Sequence, residues 1–199
     1  HVRAWIASLE PPVWPYELDT TRVVRGERIF ERSCSGCHGT YGDEPTYPNL
    51  VIPEAEIGTD PLLLVFEQLF VQSLGPWFEQ TPLTESNYLT ATGGYMAPPL
   101  DGIWITAPYL HNDSVPSLAA LLDSSRRPSY WRRASYDSND FDPIEVGWRY
   151  EAREVGRDGG AGPEVYDATR LGYLNEGHTY GDHLSQEQRL DLIEYLKTL

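Results

Sequence analysis

Two cysteines separated by two residues and followed at once by histidine, Cys34-Ser35-Gly36-Cys37-His38, constrain this chain more than any other feature, because they are its only cysteines. A single pair of thiols is not a disulfide framework for 199 residues. The spacing sets two side chains one helical turn apart with an imidazole beside them, which is the pattern of covalent haem attachment. Two such thiols reach the vinyl groups on one porphyrin edge, and the imidazole comes beneath the iron as its proximal ligand. Three other readings compete. A thioredoxin-like redox motif follows a strand in a βαβ unit, whereas an amphipathic helix precedes this pair. A zinc site needs two further ligands, and no second cysteine pair or closely spaced histidine pair supplies them. Two buried structural thiols are the bland remainder. With Gly39 directly after the histidine and the helix directly before, covalent haem through Cys34, Cys37 and His38 is the reading these residues favour.

The ligand trans to His38 stays open on the residues alone. Met96, the only methionine, stands in Gly93-Gly94-Tyr95-Met96-Ala97-Pro98-Pro99 and would give the His/Met iron of a high-potential electron carrier. His178, in Asn175-Glu176-Gly177-His178-Thr179-Tyr180-Gly181, would give a lower-potential His/His iron. His1, His111 and His183 complete the histidines, and most of the set are expected to be surface or packing residues.

Period and punctuation predict mostly helix around this motif. Val2, Trp5, Ile6 and Leu9 have helical spacing over residues 2–9 and stop at Pro11-Pro12, so the first helix reads as the tail of something upstream. Asp19 or Thr20 caps a helix carrying Val23, Gly26, Ile29 and Phe30 into Cys34. Thr59-Asp60-Pro61 opens the strongest internal helix, with Leu62, Val65, Phe66, Leu69 and Phe70 on one stripe. A short helix follows Ser114, with Pro116 early and Leu118, Leu121 and Leu122 buried. The last helix carries a capping box, Ser185 with Gln188, and the stripe Leu190, Ile193, Leu196 and Leu199. Residues 126–184, rich in Asp, Gly and Tyr, read as an irregular excursion with at most a small hairpin, its β-like stretches near 146–150 and 165–171. A structureless stretch of that length is expected to cover a cofactor or a partner.

The expectation is therefore a mainly α chain with a c-type cytochrome fold, long irregular loops and at most a small β-hairpin. It is read as one domain over 1–199: a helix and Pro-rich connector (1–20), a haem-binding core (21–125), the excursion (126–184) and a C-terminal helix (185–199). With 15 Lys and Arg against 30 Asp and Glu, the net charge of −15 works against nucleic acid or anionic lipid and favours a basic or neutral redox partner. The longest apolar stretch, 62–66, is broken by Glu67 and Gln68, so no membrane insertion is expected. No basic, apolar and small-residue leader opens the chain at His1.

The run Tyr95-Met96-Ala97-Pro98-Pro99-Leu100-Asp101-Gly102-Ile103-Trp104, continuing through Ala107-Pro108-Tyr109-Leu110-His111-Asn112 to Leu122, resembles the C-terminal haem domain of the bacterial di-haem cytochrome c peroxidase superfamily. Within it the rubber-oxygenase-like branch is the nearer match. Leu9-Glu10-Pro11-Pro12, Arg25-Gly26-Glu27-Arg28-Ile29-Phe30, Arg127-Pro128, Phe141-Asp142-Pro143, Val146-Gly147 and the ending from Gly177 to Leu199 agree with it. The resemblance implies His38 as proximal ligand, His178 as distal ligand, Met96 as a non-ligand and His111 as a structural histidine. Arg126 and Arg127 are candidates to meet haem propionates, with Arg127 the one carried forward. Di-haem members also have an N-terminal domain with a first Cys-x-x-Cys-His, which this chain lacks, so it is expected to be a fragment of a larger protein or a single-haem relative.

On this reading the chain is a single-haem c-type cytochrome that transfers electrons through a six-coordinate iron. Two alternatives stand beside it: a peroxidase or oxygenase, or the electron-relay half of a di-haem enzyme; and a haem-bearing assembly subunit associated with a second haem domain. Covalent haem places the chain in the periplasm or outside the cell of a bacterium.

Overall fold

The computed structural model of the chain describes residues 1–6, 8–85 and 87–199. Its frame is two helices that cross at close range. Asp19 caps α2 (Thr20–Ser33), its carboxylate accepting from the N–H groups of Thr21 and Arg22. Ser185 and Gln188 close the expected capping box on α7 (Gln186–Leu196). Gly26 is the contact point. A Cβ added there would run into the Asp191 carbonyl and the Tyr195 side chain, so only glycine lets the two backbones approach this closely. Beside the crossing, the buried Asp191 carboxylate accepts from Arg25 (2.7 Å) and Arg22 (3.0 Å).

Between these helices in sequence lie α3 (Ser35–His38), α4 (Glu54–Ile57), α5 (Leu62–Phe78) and α6 (Leu118–Leu121), with α1 (Val2–Ile6) at the start. Of the helix expected over residues 2–9, α1 covers the first part, and Ala7 lies outside the described residues. The core gathers Phe30, Val115, Leu118, Val146 and Leu192, each essentially inaccessible. Leu118 and Leu122 are buried as expected, while Leu121 is half-buried because it faces a cavity. In α5 only Leu64 is buried, and the stripe that reads as core points to solvent, with Phe66 57% and Phe70 54% exposed.

The expected mainly α architecture is overturned. Helix of all kinds makes up 38% of the chain and strand 12%, with seven α-helices and three small sheets among the described residues, and a cytochrome c fold is not what the elements spell out. β1 (Val51–Pro53) pairs with β2 (Gly94–Met96), Ile52 opposite Tyr95. β3 (Tyr130–Arg133) is the centre of a three-stranded sheet between β6 (Tyr150–Ala152) and β7 (Tyr166–Asp167), and β4 (Phe141–Asp142) pairs with β5 (Gly147–Trp148). Strands of two to four residues are too short to write an alternating pattern into the sequence. What fixes them is aromatic packing: Trp131 stacks on Tyr166 at 5.3 Å and donates from its indole to the Ser114 carbonyl. Residues 126–184 are thus an ordered set of small sheets and not a structureless cover. No helix among the described residues is long and apolar enough to cross a membrane.

Candidate haem site

The cysteine motif sits where α2 ends. Cys34 leaves helical geometry, and α3 restarts as a single turn in which the Cys34 carbonyl accepts from the N–H groups of Cys37 and His38. That turn puts Cys34, Cys37 and His38 on the wall of a cavity of about 460 Å³. Apolar side chains from across the molecule complete the walls, among them Ile52, Ile57, Leu118, Leu121, Leu192 and Leu196. Burial, with Cys37 beside it, pushes the Cys34 thiol up to about 11. A thiol so held is protonated at neutral pH, unlike the activated thiolate of a redox motif.

His38 is oriented by its second nitrogen. Nδ1–H donates to the Pro98 carbonyl at 2.7 Å, since a carbonyl only accepts, and this leaves Nε2 as the basic nitrogen. Pro98 is placed by its neighbour: Ala97 donates its N–H to the Leu50 carbonyl and accepts from the Tyr47 hydroxyl. Burial lowers the His38 pKa, and the Pro98 bond works in the opposite direction.

His178 arrives from the other end of the chain. Its ring centroid lies 6.2 Å from that of His38, and its edge meets Tyr180 at 5.1 Å. Its backbone N–H donates to the Ile57 carbonyl at 2.8 Å, and the preceding Gly177, at φ 73°, presses on the Ile57–Thr59 backbone where a Cβ has no room. Burial first, and His38 second, push the His178 pKa down to about 4, so the ring is neutral and a competent metal ligand across the physiological range. Its Nδ1 is buried without a hydrogen-bond partner.

Met96 also reaches the cavity wall but, at the end of β2, stays 57% exposed. His111 lines the cavity and stacks on Tyr95 (centroids 4.1 Å apart), whose hydroxyl donates to the Asp60 carbonyl, while burial lowers the His111 pKa. His1 and His183 are exposed and stand apart from the cavity. Arg127 corrects an expectation. Its guanidinium does not line the cavity, and its hydrogen bonds run to five backbone carbonyls, so it has no donor left for a propionate. Arg126 pairs with Glu145.

Sequence reasoning missed Asp60 as part of this architecture. Its buried carboxylate accepts from Leu62 at the start of α5 and also from Gly172 (2.6 Å) and Leu174 (3.1 Å), fastening the loop that leads to His178. The cap signal at Thr59-Asp60-Pro61 announces only the first of these bonds.

The residues fit a haem. Two imidazole–metal bonds of about 2 Å each, with the ring radii added at both ends, span close to the observed separation of His38 and His178. Among the described residues no three His, Cys, Asp or Glu side chains converge as a metal cage. The thiol pair stands on the same wall as His38, and the remaining lining is largely apolar, as a macrocycle requires.

Comparison with known proteins agrees at a coarse level. Residues 94–132 match the model of a family described as RoxA-like, cytochrome c-like, which supports a haem-binding, cytochrome-like role. The match does not extend to the C-terminal domain of a di-haem peroxidase. Two curated relatives come from Sinorhizobium fredii (strain NBRC 101917 / NGR234). The uncharacterized protein y4iM is 27% identical over 99% of this chain and 53% of its own length. The uncharacterized protein y4iJ is 30% identical over 73% of this chain and 26% of its own length. The chain thus spans about half the length of one relative and a quarter of the other, and what it is similar to is a RoxA-like, cytochrome c-like domain.

Proposed function

We propose that this chain carries one haem c, linked through Cys34 and Cys37 and ligated by His38 and His178, and that it transfers electrons through a six-coordinate iron. The observation that carries the reading is the pair of imidazoles facing each other across an apolar cavity whose His38 wall also holds both thiols. Bound there, haem supplies a one-electron couple whose potential is set by its axial ligands and by burial.

The chain's own part is positional. The Pro98 carbonyl fixes the plane and tautomer of His38 and strengthens it as a ligand. Apolar side chains exclude water, which keeps small ligands and proton chemistry away from the metal and lets an electron pass without bond making. No general acid or base is required. Met96 is a less suitable trans ligand because its side chain is more than half exposed. The net charge of −15 favours a basic or neutral redox partner, and covalent haem implies residence in the periplasm or outside the cell. The relatives it matches are longer than this chain, and such a domain is suited to working beside a second haem domain.

Absorption spectra of the haem-loaded protein test this directly. The expected result is a low-spin spectrum without the red-region sulfur-to-iron band, no carbon monoxide binding when reduced, and loss of both properties in His178→Ala but not in Met96→Ala. A low-spin spectrum that survives His178→Ala ends the ligand assignment. Stoichiometric carbon monoxide binding by the unaltered protein ends the electron-carrier reading.

A further inference from the structure

The two walls of the haem cavity are built differently. His38 sits on the single helical turn α3 that restarts directly after α2, whereas His178 sits on a loop, and a ligand on a loop is only as fixed as the loop. The His178 backbone is itself in the left-handed region, at φ 45°, where a non-glycine residue stays only if its surroundings hold it. Those surroundings converge on one side chain. Arg127 donates from Nη1 to the carbonyls of Asn175 and Gly177, both at 2.7 Å, and from Nη2 to the carbonyl of His178 at 3.2 Å. On its other side it donates from Nη2 to Leu121 (3.0 Å) and from Nε to Ala120 (3.2 Å), carbonyls in the last turn of α6. Carbonyls at a helix C-terminus lack intrahelical partners and carry partial negative charge, so they are suited to a guanidinium.

Leu121 and Leu122 at this end of α6 line the cavity, so the segment that Arg127 grips on one side is cavity wall and the segment it grips on the other is the ligand loop. The direct partners of Arg127 are all neutral carbonyls, and the nearest carboxylates are engaged elsewhere: Asp182 accepts from Ser124 and Asp123 from Arg189. Five fixed donors in one plane match five carbonyls. A lysine ammonium, with three donors at a point, does not.

We propose that Arg127 is the positioning residue for the distal ligand, fastening the carbonyls before and at His178 to the end of α6 so that the imidazole stays over His38. This rests on the His178 ligation proposed above, and it separates holding the ligand from being the ligand.

The test compares haem-loaded wild type, Arg127→Gln, Arg127→Lys and His178→Ala by carbon monoxide binding to the reduced protein and by spin state, with covalent haem content and thermal unfolding as controls. Arg127→Gln is expected to keep full haem content, because Cys34, Cys37 and His38 are on the opposite wall, yet to bind carbon monoxide where wild type does not, as the loop opens. Millimolar imidazole is expected to restore its low-spin spectrum. Arg127→Lys is expected to fall between wild type and Arg127→Gln. If Arg127→Gln matches wild type in carbon monoxide binding and spin state while His178→Ala does not, the ligand assignment stands and the positioning role is overturned. A lower melting temperature with unchanged carbon monoxide binding overturns it equally, since it marks a purely structural residue. If His178→Ala is itself indistinguishable from wild type, the ligand assignment falls and takes this inference with it. Should Arg127→Gln fail to fold, Arg127→Lys decides by the same readouts, and wild-type behaviour there is the overturning result.

Discussion

Asp191 shows how a single buried carboxylate governs the meeting of the two main helices. Arg25 holds its carboxyl below the usual range, mainly through their hydrogen bond, with burial opposing and Arg22 adding to the effect. The unfolded chain titrates this group near pH ~4, so the stabilisation is complete above that value and is lost as pH falls through the lower folded-state value. Urea unfolding measured from pH 7 down to pH 2 is expected to show Asp191→Asn less stable by about 1–3 kcal/mol at pH 7, with the difference vanishing at the acid end. A difference that persists unchanged to pH 2 contradicts this account. Asp60 teaches the complementary lesson about legibility. Its bond to Leu62 at the start of α5 is readable because Pro61 and an apolar run follow within a few residues, although Pro61 itself takes the N-cap place, whereas its bonds to Gly172 and Leu174 join segments that no local pattern links. The haem motif was legible for the same reason as the cap: Cys34, Cys37 and His38 are neighbours in the chain. His178 is one of several candidates on the residues alone and the distal ligand by the resemblance, and its 6.2 Å approach to His38 agrees with that expectation.

Among the elements, α2 with its Asp19 cap and α7 with its capping box behave as caps and apolar spacing dictate, and their crossing depends on one missing methyl. Gly26→Ala is expected to destabilise the protein by about 1–3 kcal/mol through overpacking, measured by denaturant unfolding, although alanine is the better helix former. A neutral or stabilising result would show that the helices separate freely. The element that defeats prediction from pattern is α5. Its stripe of Leu62, Val65, Phe66, Leu69 and Phe70 has the spacing of a core face, yet Leu62 is half-buried and the other four are exposed. Periodicity reports that a helix is amphipathic and is silent about which surface it meets. Replacing Phe66 and Phe70 together by Gln is accordingly expected to change stability by less than about 1 kcal/mol, whereas Phe30→Ala in the core is expected to cost about 3–5 kcal/mol. Comparable losses from the two changes would mean that α5 packs against the core in solution. The small sheets of residues 126–184 are only partly legible: the β-like stretches near 146–150 and 165–171 hold β5, the start of β6 and β7, but strands of two to four residues write little alternation, and the packing of Trp131 on Tyr150 and Tyr166 that holds the three-stranded sheet joins distant segments.

For the molecule as a whole, the charge of −15 is a long-range property that outlasts any single contact. A cationic small-molecule oxidant is expected to take electrons from the reduced haem-loaded protein faster than an anionic one of equal potential. The gap should close as salt shortens the Debye length below about 10 Å. Equal rates at low salt would show that the acidic groups lie away from the exposed edge of the site. The arrangement of the cavity also has a consequence in time. The wall with Cys34, Cys37 and His38 lies early in the chain, while His178 and the α7 residues Leu192 and Leu196 come near its end. In a chain that emerges from its N-terminus, the thiols and their imidazole are presented first, in a segment with no opposite wall, and stay open to whatever modifies them until the last helix docks on α2. In that order the wall bearing Cys34, Cys37 and His38 is made before Leu192 and Leu196, the α7 residues that close the cavity opposite it.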